Sequence, residues 1–293
     1  MKFTVLGCGN AFSLKNFNNS FLLEETDEEG NTRRMLIDAG WALPYALQNA
    51  NIDAKSIDDV YISHLHADHV GGLEYLALMR YDWMNKPSVA GETAPTLIAN
   101  ERLMKELWEK TLRGGLETLE GIDCKLETFF KLRPIAPNER FEWMGWECRL
   151  VQQIHIMAGS MISNTFGMIL KKEGHKTLYL VTDSQHCSPH QLEVFYREAD
   201  IIIQDCELVG LNVPTRRMQF CSHVHANYGQ LAGYDGSNSS ILPDEIKEKM
   251  YLGHYQDFYD DGKDFFGNEC DWDALAREDG FAGFLHVGMT LEM

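Results

Sequence analysis

The stretch Asp58-Asp59-Val60-Tyr61-Ile62-Ser63-His64-Leu65-His66-Ala67-Asp68-His69-Val70-Gly71-Gly72 decides how this chain is read. Asp58 to Ser63 has the pattern of a short buried strand. Where that strand runs out, four metal-binding side chains crowd together: His64, His66, Asp68 and His69. Alternate residues of an extended segment point the same way, so His64 and His66 are placed to clasp one cation. The following turn swings Asp68 and His69 towards a second. Imidazole and carboxylate donors suit Zn²⁺, with Mn²⁺ or Fe as substitutes. A lone His-x-His is commonplace, but three histidines and an aspartate at a strand end need a shared partner, because isolated buried ionisable groups are costly. Gly71-Gly72 lets the backbone pass close beneath the cluster and start a helix.

A length of 293 residues allows one large α/β domain or two small ones. The chain has no repeat, low-complexity tract or Pro/Ser-rich linker. Residues 2–6, 20–25 and 34–38 read as strands of a meander, with the polar turn Glu25–Asn31 between the second and third. A helix is expected at about 44–48, an apolar helix over 70–82, and another opened by Asn100. The last carries the stripe Leu103, Met104, Leu107, Trp108 and Leu112, the usual pattern of a face turned to the core or covering a site. A strand-rich second half follows: Cys148–Ile154, Thr165–Lys171, Thr177–Thr182, a helix over Pro189–Ala199, then Asp200-Ile201-Ile202-Ile203-Gln204. Two strand-then-helix halves predict two packed sheets flanked by helices.

His64-x-His66-x-Asp68-His69 with Gly71-Gly72 resembles the signature of the metallo-β-lactamase superfamily. Leu6-Gly7-x-Gly9-Asn10-Ala11 and Leu36-Ile37-Asp38-Ala39-Gly40 extend the resemblance, as do His155, Asp183 in Leu180-Val181-Thr182-Asp183-Ser184, and His254 in Leu252-Gly253-His254-Tyr255. The resemblance implies an α/β fold, the αββα metallo-β-lactamase sandwich, as a single domain over 1–293 with a helical insertion at about 80–135. It also implies two Zn²⁺ per chain (Mn²⁺ possible). His64, His66 and His155 would hold the first, Asp68, His69 and His254 the second, and Asp183 would bridge. A redox di-iron branch would carry Glu in place of His66, so histidine there favours hydrolysis. Asp38 is expected to support a ligand rather than to be one.

Two features narrow the branch. Asp200-Ile201-Ile202-Ile203-Gln204-Asp205 resembles the strand ending in an acid found in ribonuclease Z-like phosphodiesterases, and His225-Ala226-Asn227 resembles their His-x-Thr, with Asn227 replacing threonine. By that resemblance His225 is a general acid, Asp205 orients it, and Asp68 positions the attacking water. His223, two residues away, reads as solvent-facing. The Gly/Pro-rich arm with which ribonuclease Z grips tRNA is missing. Leu107-Trp108, Arg113-Gly114-Gly115-Leu116, Leu119-Glu120-Gly121, Phe129-Phe130, Val224–Tyr228 and Glu248–Tyr255 instead look like the anti-Pycsar cyclic-nucleotide phosphodiesterases of phages and bacteria. That family hydrolyses cyclic CMP and cyclic UMP second messengers, accepts cyclic mononucleotides broadly and is homodimeric. The resemblance therefore implies a metal-dependent phosphodiesterase opening 3′,5′-cyclic nucleotides, with a ribonuclease Z-type tRNA 3′-processing endonuclease as the alternative.

Charge points the same way. The formal net charge is -18, and two divalent cations would bring it only to about -14. The basic runs are short: Arg33-Arg34, Lys171-Lys172 and Arg216-Arg217. A long polyanion would be repelled, whereas a small nucleotide fits this balance. Phe129, Phe130, Tyr228 and Tyr255 are able to stack on a base, though aromatic residues more often belong to the core. Seven scattered cysteines without a C-x-x-C pair read as reduced thiols of a cytoplasmic protein. No stretch approaches the roughly 18 apolar residues of a membrane span, and the N-terminus lacks the pattern of a secretion signal.

Overall fold

A computed structural model describes residues 1–236 and 242–293. The chain divides into two compact units. The first comprises residues 1–7, 17–144 and 287–292, and the second residues 8–16 and 145–286.

The sheet of the first unit runs Thr290–Glu292, Lys2–Gly7, Ser20–Thr26, Thr32–Ile37, Asp59–Ile62, Thr96–Asn100, Lys131–Ile135. Its first four strands are antiparallel neighbours. The expected turn between the second and third is present, with Asp27 Oδ1 accepting the amides of Glu29 and Asn31 at 3.0 and 2.8 Å. From Thr32–Ile37 onward the pairing is parallel, which obliges the chain to cross over between strands. The helix Leu43–Asn49, with a proline in its first turn, makes the first crossover, and the helix Leu73–Arg80 makes the second. Parallel strands are covered on both faces, and Asp59–Ile62 is buried at every position.

The histidine cluster follows that strand, as its sequence predicts. The helix expected over 70–82 is divided into Ala67–Val70 and Leu73–Arg80. The physical reason lies at Gly71-Gly72, where a Cβ on Gly72 would sit 2.4 Å from the Gly40 carbonyl oxygen. The segment 80–135 holds two strands of the sheet as well as helices. Asn100 caps the helix Glu101–Leu107 by accepting the Arg102 amide at 3.0 Å. Leu103, Met104, Leu107 and Leu112 of its stripe are buried, and the chain widens to a π turn over Trp108–Leu112.

In the second unit the strands run Gly283–Phe284, Met250–Gly253, Ile201–Asp205, Leu178–Leu180, Met161–Lys171, Trp146–Ala158. The first three neighbouring pairs are parallel, and the last two are antiparallel. The helix expected over 189–199 is one turn, Pro189–Gln191, capped by Ser188, followed by a π segment Leu192–Tyr196. Among the described residues no helix is long and apolar enough to cross a membrane. All seven cysteines are free thiols.

Close approach beneath the histidine cluster leaves no room for a side chain at Gly40. A Cβ on Gly40 would lie 2.1 Å from the Asp68 carbonyl oxygen and 2.6 Å from Asn18 Cβ. Gly40→Ala is expected to destabilise the protein by about 1–3 kcal/mol through overpacking, read as a lower urea midpoint. Gly91→Ala, where nothing lies within 4 Å, serves as the control and should leave that midpoint unchanged.

Candidate functional site

In an open α/β sheet the carboxyl ends of parallel strands are where function collects, and each unit places its chemistry there. In the first, Asp38 follows Thr32–Ile37 with φ of 56°, a left-handed conformation that aspartate tolerates better than most residues. The Asp38 carboxylate is buried and fully employed. Oδ1 accepts the Ser63 amide at 2.8 Å, and Oδ2 accepts the Ser63 hydroxyl at 2.6 Å and His69 Nδ1–H at 2.7 Å. With its proton committed to Asp38, the Ser63 oxygen is left to accept His64 Nδ1–H, 3.1 Å away. His64 and His69 are thereby held with their protons on Nδ1 and their lone pairs on Nε2. His64 Nε2 stands 3.1 Å from His66 Nδ1, and His69 Nε2 stands 3.3 Å from Asp68 Oδ2. Asp38 thus holds His69 directly and His64 through Ser63.

The second unit repeats the arrangement around Asp183, which follows Leu178–Leu180, and Asp205, which ends Ile201–Asp205. His155 donates from Nδ1 to the Val224 carbonyl at 3.0 Å and brings Nε2 to 3.7 Å from Asp183 Oδ2. His254 follows Met250–Gly253 with φ of 65°. Its amide is tied to the Cys8 carbonyl at 2.7 Å. His254 Nε2 is 3.4 Å from Asp183 Oδ2, and its Nδ1 is 3.3 Å from Asp205 Oδ1. Ligand atoms of Asp183, Asp205, His225 and His254 all lie within 4.8 Å of one another.

His225 is set apart by its contacts. Its Nδ1 lies 2.8 Å from Asp205 Oδ2, while its side chain keeps 19% exposure. Burial alone would lower the pKa of this imidazole, but the Asp205 carboxylate outweighs that and holds it above the ordinary histidine value. Burial likewise works against the Asp205 carboxylate, yet the charge and hydrogen bond of His225 keep its pKa below the usual range. His155 goes the other way: burial pushes its pKa down, and a metal ligand must be neutral imidazole.

These residues fit a metal. Each of His64, His69 and His155 spends Nδ1 on an oxygen acceptor, the supporting contact that orients zinc-ligating histidines. Donors 2.0–2.1 Å from a tetrahedral ion stand about 3.3 Å apart by geometry. The separations of 3.1 Å (His64–His66), 3.3 Å (Asp68–His69) and 3.4 Å (Asp183–His254) straddle that value.

Other expectations resolve cleanly. Asn227 caps the helix Tyr228–Ala232, accepting the Gly229 amide at 3.0 Å and donating to the Val209 carbonyl at 2.7 Å. That is a service a threonine oxygen also performs at a helix start. His223 is exposed. Phe129, Phe130, Tyr228 and Tyr255 are at most 2% exposed and belong to the core, so none of them stacks on a base. Two residues escaped the sequence reading. Ser63 orients His64, and Glu207, buried at 4% exposure, accepts the Ser222 hydroxyl at 2.7 Å. The signal for Glu207 was its position two residues beyond Asp205, since i and i+2 share a face on an extended chain.

The fold is that of a metallo-β-lactamase. The chain superposes on the metallo-β-lactamase fold protein YhfI of Bacillus subtilis with a TM-score of 0.64 and 16% identity, over 100% of this chain and 99% of that one. Within that fold, the chain belongs to the anti-Pycsar protein Apyc1 family, whose model matches residues 1–288. Relatives described as anti-Pycsar protein Apyc1 include one from Paenibacillus sp. (strain J14), 37% identical over 282 residues, 95% of this chain and 98% of the relative. Another, from Paenibacillus harenae, is 33% identical over 262 residues, 89% and 92% of the two chains. A third, from Bacillus phage vB_BveM-Goe7, is 29% identical over 266 residues, 87% and 89%.

Because Asp38 fixes His69 and, through Ser63, His64, Asp38→Ala is expected to weaken metal binding about 10–100-fold. Competition with a chromogenic chelator measures it; wild-type affinity in this variant would show that the carboxylate does not orient the ligands.

Proposed function

We propose that the chain is a dinuclear metal-dependent phosphodiesterase that opens 3′,5′-cyclic nucleotides, such as cyclic CMP and cyclic UMP, to nucleoside monophosphates, and so counteracts cyclic-nucleotide antiphage signalling. His64, His66, Asp68, His69, His155, Asp183 and His254 are the ligands in this reading, and Zn²⁺ the resident ion, with Mn²⁺ as a substitute. The observation that carries it is the His225–Asp205 pair at 2.8 Å, in a chain whose family match spans residues 1–288.

Opening a cyclic phosphodiester breaks a bond from phosphorus to a ribose oxygen and forms one to the oxygen of water. The departing alkoxide is a poor leaving group, so the step needs a positioned acid. His225 meets that need: Asp205 keeps the Nδ1 proton in place, and Nε2–H is delivered to the ribose oxygen as the bond breaks. Asp68 accepts the proton of the attacking water. Divalent ions, when bound, make that water acidic enough to act near neutral pH and offset the charge on the phosphate oxygens. A small substrate is further supported by the basic runs. Arg33 is paired with Asp59 at 2.8 Å, Arg34 with Glu24 at 2.7 Å and Arg216 with Glu278 at 2.7 Å. Each of these three arginines is matched to an acid, which lowers the positive charge they offer to a nucleic-acid backbone.

Purified protein supplied with Zn²⁺ or Mn²⁺ should convert cyclic CMP, cyclic UMP or cyclic AMP to the monophosphate, and a chelator should stop it. Failure on all three, or cleavage of a precursor tRNA instead, would sink the proposal. Two variants separate the roles. Asp183→Ala should lose metal together with activity. His225→Ala should keep its metal content and lose about 10²–10⁴-fold in turnover; metal loss in that variant would make His225 a ligand rather than an acid.

A further inference from the structure

The loop that carries His225 is held from one side by Asp205, through the imidazole itself, and from the other by a residue outside the ligand set. Glu207 lies two positions beyond Asp205 and is 4% exposed. Its amide donates to the Ala226 carbonyl and its carbonyl accepts the Tyr228 amide, both at 2.9 Å, which forms a parallel bridge between Glu207 and Asn227. Its Oε1 accepts the Ser222 hydroxyl at 2.7 Å and the Ser222 amide at 3.3 Å, with Asn227 Nδ2 at 3.5 Å. One side chain and its own backbone therefore clamp both ends of the segment 222–227.

What lies between the two ends is functional. Ser222 Oγ accepts the Val224 amide at 3.2 Å, so the position of Ser222 is passed on within two residues. The Val224 carbonyl holds His155 Nδ1 at 3.0 Å, and His225 is the next residue. Asp205 fixes which nitrogen of His225 carries the inner proton, and the His155 and His254 rings lie 4.9 and 4.7 Å from the imidazole, so where Nε2 reaches depends on where the backbone places the ring. The reach of Nε2 is set by the backbone of 222–227, which Glu207 holds at Ser222 and Asn227 while the Ser184 carbonyl takes the Ala226 amide at 2.7 Å and Gln185 Nε2 donates to the His223 carbonyl at 2.7 Å.

We propose that Glu207 is a positioning residue for proton delivery: through Ser222 it holds the loop at the place from which His225 protonates the leaving oxygen. The inference rests on the phosphodiesterase reading above. An error of about 1 Å in the placement of a reacting group costs on the order of 10²-fold in rate, and that is the effect expected of releasing Ser222.

The test compares two substrates on the metal-saturated full-length enzyme. A cyclic nucleotide expels an alkoxide and depends on the acid; a p-nitrophenyl phosphodiester expels a phenolate that leaves with little help. Glu207→Ala should lose about 10²-fold in kcat on the cyclic nucleotide and little on the p-nitrophenyl ester. Glu207→Gln, which keeps the accepting Oε1, should restore most of the loss. Should Glu207→Ala fold poorly, Ser222→Ala, at an exposed position, carries the same comparison with no buried group removed. Metal content and thermal midpoint are read on the same samples. Equal losses on both substrates, no loss on either, or a loss that follows metal content would overturn the inference while leaving the phosphodiesterase reading in place. Wild-type protein that opens no cyclic nucleotide would overturn both.

Discussion

Both units are organised around a carboxylate that has been taken out of water. Asp38 and Asp205 are each 4% exposed, and each lies at the carboxyl end of a strand where amides and imidazoles converge. Leaving a buried charge uncompensated destabilises a protein by about 3–5 kcal/mol, so the surroundings of these two groups are constrained before any ligand is considered. Asp38 meets the constraint with the Ser63 amide, the Ser63 hydroxyl and His69. Asp205 meets it with the Ser184 amide at 2.8 Å and His225. The same contacts decide which nitrogen of each histidine carries its proton. Satisfying two buried acids and presenting imidazole nitrogens in defined tautomers are one arrangement seen from two sides.

That arrangement explains why so much of the site was legible in the sequence. A strand that ends on His64-x-His66-x-Asp68-His69 writes its chemistry locally, because every member is within hydrogen-bonding reach of the same strand end. The long-range members were legible through the family resemblance; in the structure Asp205 ends the strand Ile201–Asp205, Asp183 follows Leu178–Leu180 and His254 follows Met250–Gly253, positions at which a buried chain can place a polar group. What stayed hidden depends on contacts between distant segments. Gly71-Gly72 marks locally where one helix ends and the next begins, but the close approach of the Gly40 carbonyl, 32 residues earlier, is not written there. The π turns at Trp108–Leu112 and Leu192–Tyr196 keep the apolar spacing of ordinary helices, so the sequence pattern does not distinguish them. Aromatic side chains failed as a guide for the same reason. Tyr228 and Tyr255 flank site residues in sequence, yet both rings point into the core.

The substitution of Asn227 for threonine shows how a departure from a motif is absorbed. The position demands an oxygen that caps the helix Tyr228–Ala232, and asparagine supplies it. It adds an amide that threonine lacks, and that amide needs acceptors of its own. The Val209 carbonyl takes it at 2.7 Å, with the Glu207 carboxylate at 3.5 Å. Asn227 and Glu207 are thus matched to each other: the extra donor and the buried acid sit on adjacent parallel segments. Asparagine here fills a capping role that threonine is also able to fill.

Charge offers the last step. A chain with a formal net charge of -18 repels anions at long range, and salt screens such repulsion beyond about 8 Å at physiological ionic strength. On the proposed reading the substrate is itself an anion, so its attraction must be local. Arg33, Arg34 and Arg216 contribute little to it, since each is paired with an acid. Divalent ions held by the histidine and aspartate sets would provide it at short range, where screening is weakest. His225, whose pKa the Asp205 carboxylate raises above the ordinary histidine value, would add positive charge at the leaving oxygen when protonated. A small cyclic phosphate brings one charge to that spot and leaves nothing exposed to the acidic surface; a polynucleotide would have to lay its other phosphates along it.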